Sequence, residues 1–180
     1  ANSNTESYSY PLKYEVDTKK IIDVFRKVKI KNKSLQTYNI VTNWEKISDQ
    51  YCSVLVGNTH KEAKYYMIDV KNQKAISIEK MTKIRDIQFL RGVEQCMVFG
   101  TISSEVSEEY YDHYCYNPST KACERIYHNI KIWGEENTET ENIDTKVAFS
   151  GGRYDLMAQK GVTYLMDELT GGRIKIDGLD

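Results

Sequence analysis

The 180-residue sequence holds no apolar run long enough to cross a bilayer as a helix, which sets aside the helical membrane-span classes. It has no Gly-x-Ser-x-Gly, no glycine loop of the phosphate-cradling kind, and no Cys/His pair with an orienting third residue. Its four cysteines, Cys52, Cys96, Cys115 and Cys123, lack the paired C-x-x-C spacing of a zinc site. The three histidines, His60, His113 and His128, have no carboxylate–histidine spacing that would recommend them as metal ligands. A formal net charge of −1 and a pI near 6.4 argue against a nucleic-acid or anionic-membrane partner held by bulk electrostatics. The expectation is a single domain over residues 1–180 that is not an enzyme and carries no cofactor or metal.

What the sequence does have is concentrated in Tyr110–Trp133. This stretch carries two of the four cysteines and two of the three histidines. Asn117-Pro118-Ser119-Thr120 is a turn signal between two runs rich in aromatic and β-branched residues, which predicts a β-hairpin. Folding about that turn brings Cys115 and Cys123 close to opposite one another, within reach of a cross-strand disulfide if the register allows. Cys52 and Cys96 are then either paired or free. An even cysteine count, a start at Ala1 without a hydrophobic leader, and the acceptor pattern Asn32-Lys33-Ser34 together lead to the expectation of a secreted protein.

Along the chain, Asp17 is placed to cap a short helix with Ile21, Ile22, Phe25 and Val28 on one face. From Leu35 the period changes to two, with Tyr38, Ile40, Thr42 and Trp44 on one side of a strand. Further strands are predicted at Tyr51–Gly57, Ala63–Val70, Lys74–Met81, Arg85–Leu90, Gln95–Ile102, Glu109–Tyr116 and Ala122–Trp133, joined by short turn-like connections. Gly134–Thr145 is acidic and aperiodic and reads as a solvent loop. The spacing of Tyr154, Met157, Gly161, Tyr164, Leu165 and Leu169 predicts a C-terminal helix over Arg153–Leu169. Gly171-Gly172 ends that helix, and a last short strand follows over Arg173–Asp177.

A second pattern competes with this one. Tyr14-Glu15-Val16-Asp17, Tyr66-Met67-Ile68-Asp69, Tyr114-Cys115-Tyr116-Asn117 and Tyr164-Leu165-Met166-Asp167 recur about every fifty residues, a period that suggests β-propeller blades. Two of these units overlap the helical periodicities, and the repeat reading ranks second.

A meander of about eight strands followed by a helix and a ninth strand is the element order of lipocalins, closed up-and-down barrels that hold a small ligand. Several stretches resemble the divergent lipocalins of arthropod saliva, those of ticks in particular. These are Ile21–Val28 followed by the Tyr-bearing Leu35–Trp44, Cys123-Glu124-Arg125-Ile126 followed by Ile130-Lys131-Ile132-Trp133, and Leu165-Met166-Asp167-Glu168-Leu169 with Gly172-Arg173 after it. The resemblance implies a mainly β, up-and-down antiparallel β-barrel with a short N-terminal helix and a C-terminal helix. It further implies a secreted protein that sequesters a host mediator, either a biogenic amine or a lipid such as a leukotriene or fatty acid. Lys131 stands where the family usually has a glutamate, which leaves room for an anionic ligand.

On that reading the ligand-binding wall comprises Tyr38, Trp44, Tyr66, Asp69, Tyr111, His113, Lys131 and Trp133. Asp69 and Asp112, with Glu109, are candidates to pair with a cationic amine. The alternatives are an interaction protein that blocks a host protein from the surface of a filled barrel, and a β-propeller-type repeat binding domain.

Overall fold

The computed structural model describes residues 7–8, 12–23, 25–103, 110–131, 146–159 and 162–177. Two compact units divide the chain, Ala1–Ile84 and Arg85–Asp180.

The first unit opens with β1 (Ser7–Tyr8) and two small hairpins, β2 (Leu12–Glu15) with β3 (Lys20–Asp23) and β4 (Lys29–Ile30) with β5 (Lys33–Ser34). A four-stranded antiparallel meander follows: β6 (Ile40–Lys46), β7 (Tyr51–Gly57), β8 (Lys64–Asp69) and β9 (Lys74–Ser77), with β1 added in parallel to the outer side of β6. Tyr51–Gly57 takes a central place because its apolar, β-branched run is buried on both faces. Period two puts Cys52, Val54 and Val56 on the same face, and these pack with Ile68 against Phe25, Val28, Ile30 and Leu35. Each such aliphatic side chain, taken fully out of water, contributes about 1.5–3 kcal/mol.

The helix expected after Asp17 does not form. Lys20–Asp23 pairs with Leu12–Glu15 instead, and Ile21 is 69% exposed. Val16, Thr18, Ile21 and Ile22 favour extended backbone, which outweighs the helical spacing. Phe25 and Val28 still reach the core, through a turn in which Asp23 Oδ1 accepts from the Phe25 amide at 2.9 Å. The predicted strand Lys74–Met81 stops at Ser77, whose hydroxyl caps the short helix α1 (Ile78–Thr82).

The second unit is built from two successive antiparallel meanders. The first is β10 (Ile87–Val93), β11 (Cys96–Ile102), β12 (Tyr110–Tyr116) and β13 (Cys123–Lys131); the second is β14 (Lys146–Gly151), β15 (Tyr154–Gln159), β16 (Val162–Asp167) and β17 (Arg173–Lys175). Among the described residues, the parallel pair Lys131↔Lys146 connects them into one eight-stranded order. Tyr127 and Met166 are buried together, with Ile126 and Tyr164 against them, and the Tyr127 hydroxyl donates to the Asp167 carbonyl at 2.8 Å.

Two expectations are overturned here. A closed barrel requires its first strand to pair with its last, whereas β1 and β9 end one sheet and β10 and β17 end the other. Open meanders replace the lipocalin-like barrel, and the likeness to salivary lipocalins falls with it, as does the central cavity for an amine or lipid mediator. The predicted C-terminal helix is a hairpin, β15 turning back on β16 with Gln159 opposite Val162.

The fifty-residue pattern fares better. Each meander closes with a third-to-fourth-strand hairpin, and Tyr66–Asp69, Tyr114–Asn117 and Tyr164–Asp167 supply the third strand and the start of the turn in all three. The turn chemistry recurs as well. Asp69, Asn117 and Asp167 each accept a backbone amide into the side chain, from Asn72, Ser119 and Leu169, at 2.9 Å in every case. Four residues after each sits a left-handed backbone at Gln73, Lys121 and Gly171. The β2–β3 hairpin has the same length and a left-handed Lys19, so its turn is counted from Glu15, two residues before Asp17. Lysine is strained at such a φ, so Lys121→Gly is expected to add up to about 1 kcal/mol, read as a higher urea midpoint at unchanged slope.

Candidate functional site

In the first unit, residues from three separated segments line a groove of about 500 Å³. Lys31 and Lys33 come from the β4–β5 hairpin, Lys61 and Glu62 from the β7–β8 loop, and Lys64 and Tyr66 from β8. Tyr38 lies across from Tyr66, and Val56 and Gly57 form part of the wall. Lys31 and Asn32 both adopt left-handed backbone between the paired Ile30 and Lys33, the two-residue turn that suits a tight hairpin. That turn holds Lys31 at its tip.

The groove's shape depends on close packing beneath its loop. A Cβ on Gly57 would come within 2.6 Å of the Ala63 Cα, so any side chain there pushes away the segment that carries Lys61. Asn39 Nδ2 donates to the Asn58 carbonyl at 3.2 Å and ties the loop's start to the residue that precedes β6. The Tyr38 hydroxyl donates to the Ile30 carbonyl at 3.0 Å and fixes that ring. Lys64 pairs with Glu79 at 2.6 Å. Burial, foremost, raises the Tyr66 phenol above its ordinary range, so Tyr66 stays a hydroxyl donor at neutral pH. Such a lining offers ammonium groups and phenol faces, which suits carboxylate recognition.

A second constellation lies buried in the other unit. Arg91 on β10 pairs with Asp155 on β15 (3.4 Å) and with Glu168 just past β16. Asp155 is 1% and Glu168 2% exposed. One guanidinium cannot neutralise two carboxylates in such a place, and the pair retains a proton. Burial, helped by the hydrogen bond with Asp155, pushes the Glu168 carboxyl up to about 8. The retained proton also answers Asp155 Oδ1 and Glu168 Oε2, which no other aligned hydrogen bond satisfies; Glu168 Oε2 meets Arg91 as an ion pair only. His113, 4% exposed, lies edge-on to the rings of Phe89 (5.1 Å) and Tyr127 (5.9 Å) with neither ring nitrogen bonded. Burial holds its pKa down at about 4. Nearer the surface, Arg153 binds Asp167 through Nε (3.0 Å) and Nη2 (2.7 Å) and reaches Glu94 at 3.0 Å.

Of the residues expected to form a ligand wall, the groove brings together Tyr38 and Tyr66. Trp44 is 40% exposed on β6, where an irregularity between Thr42 and Glu45 interrupts pairing with β7. Asp69 is engaged in its turn, with Asn72 and Gln50 as side-chain partners. Asp112 pairs with His128 at 2.8 Å and with Arg125 at 3.6 Å. Tyr111 packs edge-on against Phe89 at 5.8 Å. Lys131 ends β13, while Trp133, Glu109 and the acidic stretch 134–145 lie outside the described residues.

The expected disulfide is also corrected, since all four cysteines are free. Cys115 opposes Glu124 and Cys123 opposes Tyr116, a one-residue offset that sends the two thiols to opposite faces of the sheet. Burial foremost, and then the neighbouring Cys96 thiol, pushes Cys115 up to about 12. Sequence reasoning missed Lys31, Lys33, Lys61 and Lys64 as groove residues, and Arg91, Asp155 and Glu168 as a buried set. Lys31 and Lys33 stand in a basic run that suggests only a solvated surface, and nothing in local spacing joins Arg91 to residues more than sixty positions away.

No family model matches the chain, and neither does any curated protein. Among solved structures, the chain is similar to TolB from Acinetobacter baumannii at 13% identity and a TM-score of 0.47, covering 98% of this chain and 39% of that one. It is also similar to the β-propeller domain of the Trilobed protease from Pyrococcus furiosus at 9% identity and a TM-score of 0.43, covering 77% of this chain and 43% of that one. The chain thus spans about two fifths of the length of each of these structures.

Proposed function

We propose that this chain is a non-catalytic interaction module made of propeller-type repeats, and that it works by binding a protein partner. The observation that carries the reading is the threefold recurrence of a four-stranded antiparallel meander closing on the same side-chain-held hairpin. A meander of that kind is the unit of a propeller blade, and such repeats commonly present loops and rims to other proteins. The lysine- and tyrosine-lined groove supports the same reading, because it is open to side chains of a partner and rich in groups that bind them.

Chemical cross-linking to a partner, followed by native mass spectrometry of the recovered complex, tests the reading. The expected result is a defined protein–protein stoichiometry, with the free chain's mass unchanged by amines, leukotrienes or fatty acids. Turnover of any substrate, or a stoichiometric small-molecule adduct, would count decisively against it.

A further inference from the structure

We propose that the groove in the first unit is the docking site for an acidic peptide segment, whose carboxylates meet Lys31, Lys33 and Lys61 above Tyr38 and Tyr66. This deepens the interaction-module reading and rests on it.

The argument starts from charge. Four lysines line the groove against one glutamate, Glu62, and Lys64 is already engaged with Glu79. The remaining ammonium groups of Lys31, Lys33 and Lys61 belong to exposed residues, and no carboxylate pairs with them among the described residues. The unit that holds the groove, Ala1–Ile84, carries 15 Lys and Arg against 9 Asp and Glu, so the groove sits in the positively charged part of a chain whose formal charge is −1. A local field of that kind steers and orients an anionic partner.

Backbone geometry fixes where one of these charges stands, since the left-handed Lys31 and Asn32 make the tight turn that puts Lys31 at the hairpin tip. Two phenol rings, one fixed by its bond to Ile30 and the other held as a neutral hydroxyl by burial, complete an amphipathic bed. Aliphatic lysine stems beside these rings suit a peptide, whose apolar and acidic side chains alternate over short distances. A nucleic acid asks for a longer basic stripe than three lysines around one groove.

The test is fluorescence anisotropy of a labelled glutamate-rich peptide titrated with the full chain. Saturable binding is expected, weakened by added salt and by about tenfold for each of Lys31→Glu, Lys33→Glu and Lys61→Glu. Lys121→Glu, in the exposed β12–β13 turn, and Lys175→Glu, at the exposed end of β17, serve as charge controls in the other unit and are expected to leave binding unchanged. Tyr66→Phe should weaken binding less than any lysine reversal. Equal loss in the controls, or no loss in the three groove variants, sinks the proposal. So does tighter binding of a single-stranded oligonucleotide that the same three variants abolish. If a partner is recovered equally well by the charge-reversed variants, the groove is not its site while the interaction-module reading stands. If no partner is recovered and the peptide does not bind, both fall.

Discussion

Arg91→Met is expected to remove about 3 kcal/mol from the unfolding free energy of the unit that holds it, because it strands Asp155 and Glu168 without their counter-charge. Desolvating the acid pair is costly even with one proton retained, and the guanidinium is what makes its burial tolerable. The loss is not the worth of a salt bridge in the ordinary sense. Surface pairs such as Lys46–Asp49 contribute between nothing and about 1 kcal/mol, since water screens both partners. Around Asp155 and Glu168 there is little water to do so. Introducing Asp155→Asn into the Arg91→Met background should recover a large part of the loss, as Glu168 already holds a proton near neutral pH and one charge is left to remove. Chemical denaturation of the single and double variants closes the cycle. Additive effects would show that the three groups do not act together.

The second large effect is in pH. Glu168 binds a proton on folding, since its carboxyl titrates near 8 in the folded chain against 4.5 ordinarily. The stability it contributes is complete below about pH 4.5 and drains away as pH rises toward 8. His113 has the opposite sign: its imidazole titrates near 4 when folded against 6.5 ordinarily. Its contribution is complete above about pH 6.5 and is lost as pH falls toward 4, a change of about 3 kcal/mol across that window. Between roughly pH 4.5 and 6.5 the two slopes oppose each other and stability is nearly level, with a decline on either side.

The charged groups facing these two residues are Arg91 from β10, Asp112 from β12 and Asp155 from β15, and burial outweighs each of them. Thermal unfolding across a pH series should show the plateau. Glu168→Gln is expected to flatten the alkaline decline, and His113→Phe, which keeps an aromatic ring between Phe89 and Tyr127, the acidic one. An alkaline limb as steep in Glu168→Gln as in the parent would refute the assignment.

Much of the strand order can be read from the residues alone. Tyr51–Gly57 shows itself because a β-branched run is bounded on both sides by turn formers, and its length leaves no room for a helix. Arg153–Leu169 misleads, since Tyr154, Met157 and Tyr164 fall at helical spacing even though β15 and β16 fold back on each other. Strand–turn–strand grammar is common to barrels and blades. Whether the last strand meets the first is a long-range matter that leaves no local trace, and the barrel expectation failed there. The groove is half legible: Tyr38, just before β6, and Tyr66, on β8, stand out as aromatics in stretches of plain period two. Their lysine neighbours come from a hairpin tip and a loop that periodicity does not connect.

The junction of β13 and β14, where Lys131 pairs with Lys146, is not the whole of what holds the second unit together. Side chains also cross from one meander to the other: Tyr127 to Asp167, Arg153 to Glu94, and Arg91 to Asp155 and Glu168. Cooperativity between the two meanders is thus carried in part by a few polar groups and one shared proton, so acidity sets how firmly the two halves hold each other.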